Sequence, residues 1–338
     1  MKLKKYAFKA GLLAALVLFP LLVRDTSLAH LIRAAGTVGL AVLLALGLNF
    51  TLGYVGLFDL GYIAFYAIGA YTAAILSING WSFWLILPAA AAVAVAIRAL
   101  VGVSILRLRG DYLAIVTMGF GEITRLTINN LDFLTNGPKG LPRVGEMIKP
   151  VQFFGYRLGL DPSNIDFYYL ILAFILAAVV LCRRLEDSRL GRAWVAIRED
   201  EVAAELMGLP VARLKLLAFT ISAAFAAAAG VVFTHWERFV TPESFVFWES
   251  ILIVAMIVLG GMGSIPGVIL GAVILAGTPQ LLQASSEFLT PYLGAGFINY
   301  RYLIFGLVMV LMVIFRPQGI LPSKRREAEL AQKEAAAP

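Results

Sequence analysis

Ten apolar runs organise this chain, at 7–23, 31–49, 60–78, 83–106, 112–130, 166–182, 211–234, 246–262, 266–284 and 298–315. Each approaches the ~20 residues a helix needs to cross the hydrocarbon core. Between the sixth and seventh runs lies a polar interval, Glu186 to Pro210, with charged residues interleaved with Trp194, Ile197 and Val202. Helical phasing places Leu190, Ala193, Trp194 and Ile197 on one arc, whereas Val202 and Leu206 point away from it. The pattern therefore predicts two short helices with a break near Asp200. Asp200 caps the second helix, Glu201 sits in its first turn, and Gly208 with Pro210 ends it.

Residues 131–165 form the longest segment on the opposite side, and Asn136 to Pro142 within it has turn chemistry. Ten spans divide as five and five, and an odd number per half inverts the second half relative to the first. Two Gly-rich interruptions could correspond in such a repeat, Gly53 to Gly61 and Gly260 to Gly267.

Composition agrees with the pattern. Of 338 residues, 60% are hydrophobic and 14% charged, against roughly 25% charged in soluble domains. The expected fold is an all-α, polytopic integral membrane helical bundle of about ten transmembrane helices. Residues 1–320 form one transmembrane domain and 321–338 a charged tail. The single cysteine, Cys182, excludes an internal disulfide and a cysteine metal cluster.

Charge then orients the chain. With the N-terminus inside, the cytoplasmic side carries Lys2 to Lys9, the region of Arg98, Arg107 and Arg109, the 183–215 stretch and the tail from Arg316. These hold nineteen of the 28 Lys and Arg. Both termini and the 186–210 loop are thus read as cytoplasmic, and the net charge of +7 reflects inside loops rather than nucleic acid. Residues 1–29 fit a retained first span; Lys2 to Lys5, the apolar stretch and Ser27-Leu-Ala29 also fit a secretory signal.

Candidate chemistry is sparse. The chain has no phosphate-binding GxxxxGK[ST] loop and no HExxH, and His30 and His235 lie far apart near span ends. No catalytic or metal site is therefore expected. Glu122 and Arg125 lie in the fifth run at a spacing that shares a helix face. They are read either as an ion pair or as a polar patch near a translocation path, because charge within the membrane is costly. Ser222, Ala226 and Gly230 make one stripe of small residues, and Gly263, Gly267 and Gly271 another, suited to close helix packing.

Val202-Ala-Ala-Glu-Leu-Met-Gly208 resembles the EAA---G signature of ABC importer permeases, with Val202 where that signature has Glu. Gly61 to Ala74, Gly110 to Glu122, Gly191 to Arg198 and Gly260 to Gly267 are similar to stretches of the branched-chain amino acid permeases, LivM-type. The resemblance covers most of 37–320. It implies that the 186–210 loop is a coupling helix docking on an ATPase, with Arg192, Trp194, Asp200, Glu201, Ala203, Ala204 and Gly208 as coupling residues. It further implies a LivH-type second permease subunit, two ABC ATPase subunits and an extracytoplasmic substrate-binding protein. ATP would be held by the partners, and this chain would bind no cofactor. The setting is a bacterial inner membrane, and the cargo branched-chain or other hydrophobic amino acids. A urea or short-amide permease of the same superfamily, and less closely a secondary transporter, are the alternatives.

Overall fold

The computed structural model describes residues 2–23, 30–105, 108, 110–142, 151–153, 156–158, 165–284, 306–307, 310, 314–315 and 318–322. The tenth apolar run and the charged tail lie almost wholly outside these residues, as do Arg107 and Arg109.

The described residues form a helical membrane bundle. The long helices are α1 (Lys2–Val23), α2 (His30–Asn49), α3 (Tyr62–Ile78), α4 (Phe83–Ile105) and α5 (Asp111–Asn130). A single turn, α6 (Asp132–Thr135), precedes α7 (Ile165–Glu186). Then come the short α8 (Arg189–Glu199) and α9 (Glu201–Leu206), followed by α10 (Val211–Glu237), α11 (Phe247–Gly260) and α12 (Ile265–Ala284). Among the described residues, five helical stretches are long and apolar enough to cross a membrane: Leu31–Val55, Phe83–Ile105, Ile165–Glu186, Val211–Glu237 and Pro242–Gly260.

The bundle is organised around α10 and α3. Close approach is possible because small residues meet there: a Cβ on Gly69 would lie 2.4 Å from the Cα of Ala227, and one on Gly230 would lie 2.5 Å from the carbonyl oxygen of Tyr66. Such contacts gain dispersion energy where lipid offers no hydrophobic drive. The Ser222, Ala226 and Gly230 stripe is buried within this chain. The second stripe joins α11 to α12: a Cβ on Gly271 would meet the Met256 carbonyl oxygen at 2.0 Å, and one on Gly267 the Gly260 carbonyl oxygen at 2.5 Å.

Minor β structure supplements the helices. Strand β1 (Leu141–Pro142) pairs antiparallel with β4 (Phe239–Val240), and β2 (Val151–Phe153) pairs with β3 (Tyr156–Leu158). The turn before β1 uses left-handed backbone at Asn136, Gly137 and Gly140, and the Asn136 side-chain amide donates to the Gly140 carbonyl at 2.7 Å.

One sequence expectation is corrected. Arg98 is not a juxtamembrane cation facing water; it is 2% exposed inside α4 and ion-paired with Asp59, itself 1% exposed. The guanidinium also lies over the rings of Phe219 and Phe65, at 4.0 and 4.7 Å. A buried charge needs such a partner and such faces to offset desolvation.

Candidate functional site

The 186–210 interval folds as two helices meeting at Asp200. Ser188 caps α8, accepting a hydrogen bond from the Gly191 amide at 3.3 Å. The backbone at Asp200 is extended, and its Oδ1 accepts from the amides of Val202 and Ala203 at 2.9 and 3.0 Å, capping α9. At the other end of α9, Gly208 takes φ +83°. The Gly208 amide bonds the Glu205 carbonyl at 2.9 Å and the Leu209 amide the Ala204 carbonyl at 3.1 Å, which is the Schellman arrangement.

The two helices have different jobs. Helix α8 turns its apolar arc inward. Trp194 is fully buried; its indole N–H donates to the Leu214 carbonyl at 2.8 Å, and its ring meets Phe50 edge-on at 6.1 Å. Gly191 allows the close approach, since a Cβ there would lie 2.3 Å from the Leu185 carbonyl oxygen. Helix α9 turns its apolar residues outward. Val202, Leu206 and Met207 are 55%, 83% and 84% exposed, and Ala203 stands beside them, also exposed. Only Ala204 of α9 is buried. Glu201 holds the first turn inward through a 2.6 Å ion pair with Lys215, which is buried in α10.

Arg198, at the end of α8, reaches a third structure. Its Nη1 donates to the Gly53 carbonyl at 2.6 Å. Gly53 lies in a π-helical stretch, Phe50–Val55, that continues α2 and is wholly buried. A side chain at Gly53 would strike Asn49, whose Oδ1 would be 1.9 Å from the added Cβ. Asn49 Oδ1 instead accepts from the Gly263 amide at 3.0 Å. The two Gly-rich interruptions therefore touch each other. Residues after the tenth run close the group: the amides of Ile320 and Leu321 bond the carbonyls of Leu259 and Gly260, each at 2.9 Å. Asp59, the partner of Arg98, lies in the loop that follows the π-helical stretch, and its Oδ1 accepts from the Gly61 amide at 3.2 Å.

The residues singled out from sequence thus divide by direction. Asp200, Ala203, Gly208 and Arg192 are at the surface, with Arg192 donating to the Asp187 carbonyl at 2.8 Å. Trp194, Glu201 and Ala204 face the bundle, so they seat the element rather than present it. Leu206 and Met207 were missed as surface residues, although the phasing that set Leu206 off the arc of α8 carried the signal. The links through Arg198, Asn49 and Asp59 had no sequence signal beyond the Gly-rich breaks.

Glu122 and Arg125 are distant from this assembly, on α5. The Arg125 Nε donates to both Glu122 oxygens at 3.1 and 3.2 Å, and its Nη1 reaches Glu243 at 3.3 Å. The pair lies at the outside of the bundle, with Glu122 41% and Arg125 20% exposed.

A family model described as the branched-chain amino acid transport system / permease component matches residues 30–313. The chain is 42% identical to the high-affinity branched-chain amino acid transport system permease protein LivM of Salmonella typhimurium, over 98% of this chain and 78% of that protein. It is also 42% identical to LivM of Escherichia coli, over 97% and 77%. The LivH permease protein of Escherichia coli is 27% identical over 82% of this chain and 90% of its own length. No solved structure matches.

Proposed function

This chain belongs to the family of branched-chain amino acid transport permeases, and from that premise we propose how it works: as one permease subunit of an ABC importer, driven through α9. The carrying observation is the division of labour in the 186–210 loop, with α8 seated in the bundle and α9 presenting Val202, Ala203, Leu206 and Met207 to the outside. An apolar helix edge of this kind suits a groove on a partner. The partner is one of two ATPase subunits that bind ATP; this chain binds no cofactor itself.

The setting is a bacterial inner membrane. Residues 1–320 form the permease domain, crossing ten times in two inverted halves with both termini cytoplasmic, and the contact of Asn49 with Gly263 between the Gly-rich breaks supports the pairing of those halves. The tail beyond 320 is cytoplasmic. A second permease subunit, LivH-type, covers the outer face of α5. There the Glu122–Arg125 pair would otherwise face lipid, a poor solvent for charge, and a translocation path between unlike permeases would accommodate it. An extracytoplasmic binding protein delivers the substrate.

Motion follows from the joints. Closure of the ATPases moves α9. Trp194 and the Glu201–Lys215 pair make α8, α9 and the start of α10 one rigid piece. Arg198 passes the displacement to the π-helical end of α2, where irregular backbone can bend at lower cost than a regular helix.

The test is Ala203→Asp in the full transporter. This exposed position leaves the fold intact, so membrane levels stay at wild type while ATPase co-purification and leucine uptake fall together. Normal co-purification would remove α9 as the docking element.

A further inference from the structure

A cavity of about 540 Å³ opens among α2, α3, α10, α11 and α12, towards the end of the bundle opposite α8 and α9. Its size is ordinary for a small-molecule site, roughly 300–1,000 Å³. The walls are apolar, including Phe233, Leu252, Ile253, Met256 and Leu275. Polar side chains break them at Thr37, Tyr66, Glu237, Ser244, Glu249 and Gln280. Glu249, in the first turn of α11, lines the cavity, and its carboxylate has no hydrogen bond or ion pair among the described residues. Tyr66 also lines the cavity; it is 6% exposed, and its ring is gripped by Phe245 and Phe233 at 5.2 and 5.3 Å. At the rim Glu237 accepts from Arg33 at 3.2 Å.

A half-buried carboxylate among apolar walls, with no cation beside it among the described residues, favours a cationic group on a ligand. An ammonium group on the ligand would supply that cation, and the Tyr66 hydroxyl can donate to an acceptor atom on it. The surrounding walls leave room for an aliphatic side chain, and the acceptor atom can be a carboxylate oxygen. We propose that this cavity binds a zwitterionic amino acid with an aliphatic side chain inside the single permease subunit, its ammonium group on Glu249. The assignment rests on the transport reading above and adds to it a resting place for cargo within one subunit.

The assembled transporter, purified in detergent without its binding protein, is titrated with radiolabelled leucine. Saturable binding is expected, weakened at least tenfold by Glu249→Gln and several-fold by Tyr66→Phe, which removes only the hydroxyl. Met256→Trp, which fills the apolar side, should abolish it. Should Glu249→Gln fail to fold, Tyr66→Phe and Met256→Trp carry the decision. A wild-type complex that imports leucine with its binding protein yet binds none without it overturns the site and leaves the transport reading standing. So does unchanged affinity in the folded variants. A wild-type complex that imports no branched-chain amino acid overturns the transport reading instead.

Discussion

Arg198→Ala offers the most discriminating perturbation of the coupling route. The side chain spans from the end of α8 to the Gly53 carbonyl, 2.6 Å from its Nη1. Its methylenes lie against Gly56, where an added Cβ would be 2.8 Å from the Arg198 Cγ. A hydrogen bond from a charged donor contributes about 1.5–3 kcal/mol, and its removal here also leaves the Gly53 carbonyl without that partner inside a buried segment. Taking about 2 kcal/mol, the equilibrium between joined and separated states of α8 and the π-helical stretch shifts roughly 30-fold. Helix α9 is untouched, because Asp200 and Gly208 still cap it and Glu201 still pairs with Lys215. The ATPase subunits should therefore co-purify at wild-type yield. In proteoliposomes with the binding protein, leucine moved per ATP hydrolysed should fall about tenfold or more, and Arg198→Lys, which keeps a charged donor, should recover part of it. An unchanged ratio in Arg198→Ala would refute the route through Gly53. Loss of the ATPase from the complex would place Arg198 in docking instead of transmission.

Two other perturbations address the frame that holds this element. Gly191→Ala drives a Cβ into the Leu185 and Glu186 carbonyl oxygens, at 2.3 and 2.5 Å, so α8 must lift from its seat. A loss of roughly 1–3 kcal/mol is expected, visible as a lower melting temperature in detergent. Removing one member of the buried Arg98–Asp59 pair strands the other. Arg98→Met or Asp59→Leu should each cost roughly 3–5 kcal/mol, while the double variant recovers much of the loss. Thermal unfolding of the three proteins checks this, and single variants as stable as wild type would contradict it.

Much of the local structure was legible in the chain. The nine apolar runs that fall within the described residues coincide with helices, because a membrane helix needs only a stretch of apolar residues to satisfy its backbone internally. The break at Asp200 was equally readable, since a cap acts on amides two and three residues away. The continuation of α2 into a π-helical stretch was not. That geometry depends on Asn49 bonding Gly263, 214 residues distant, and on the absence of a side chain at Gly53.

By itself the sequence determined the membrane class, the placement of helices and the two-helix form of the 186–210 loop. Each follows from composition or from interactions within one or two helical turns. Only the tertiary structure decided direction and partnership. It turned Trp194 inward and Leu206 outward, drew Arg98 onto Asp59 across 39 residues, and joined Arg198 to Gly53 across 145. The physical reason is that an arginine at a span end can be solvated equally well by water or by a buried carboxylate. Hydropathy registers the charge, and only the packed bundle brings the carboxylate or the carbonyl to it.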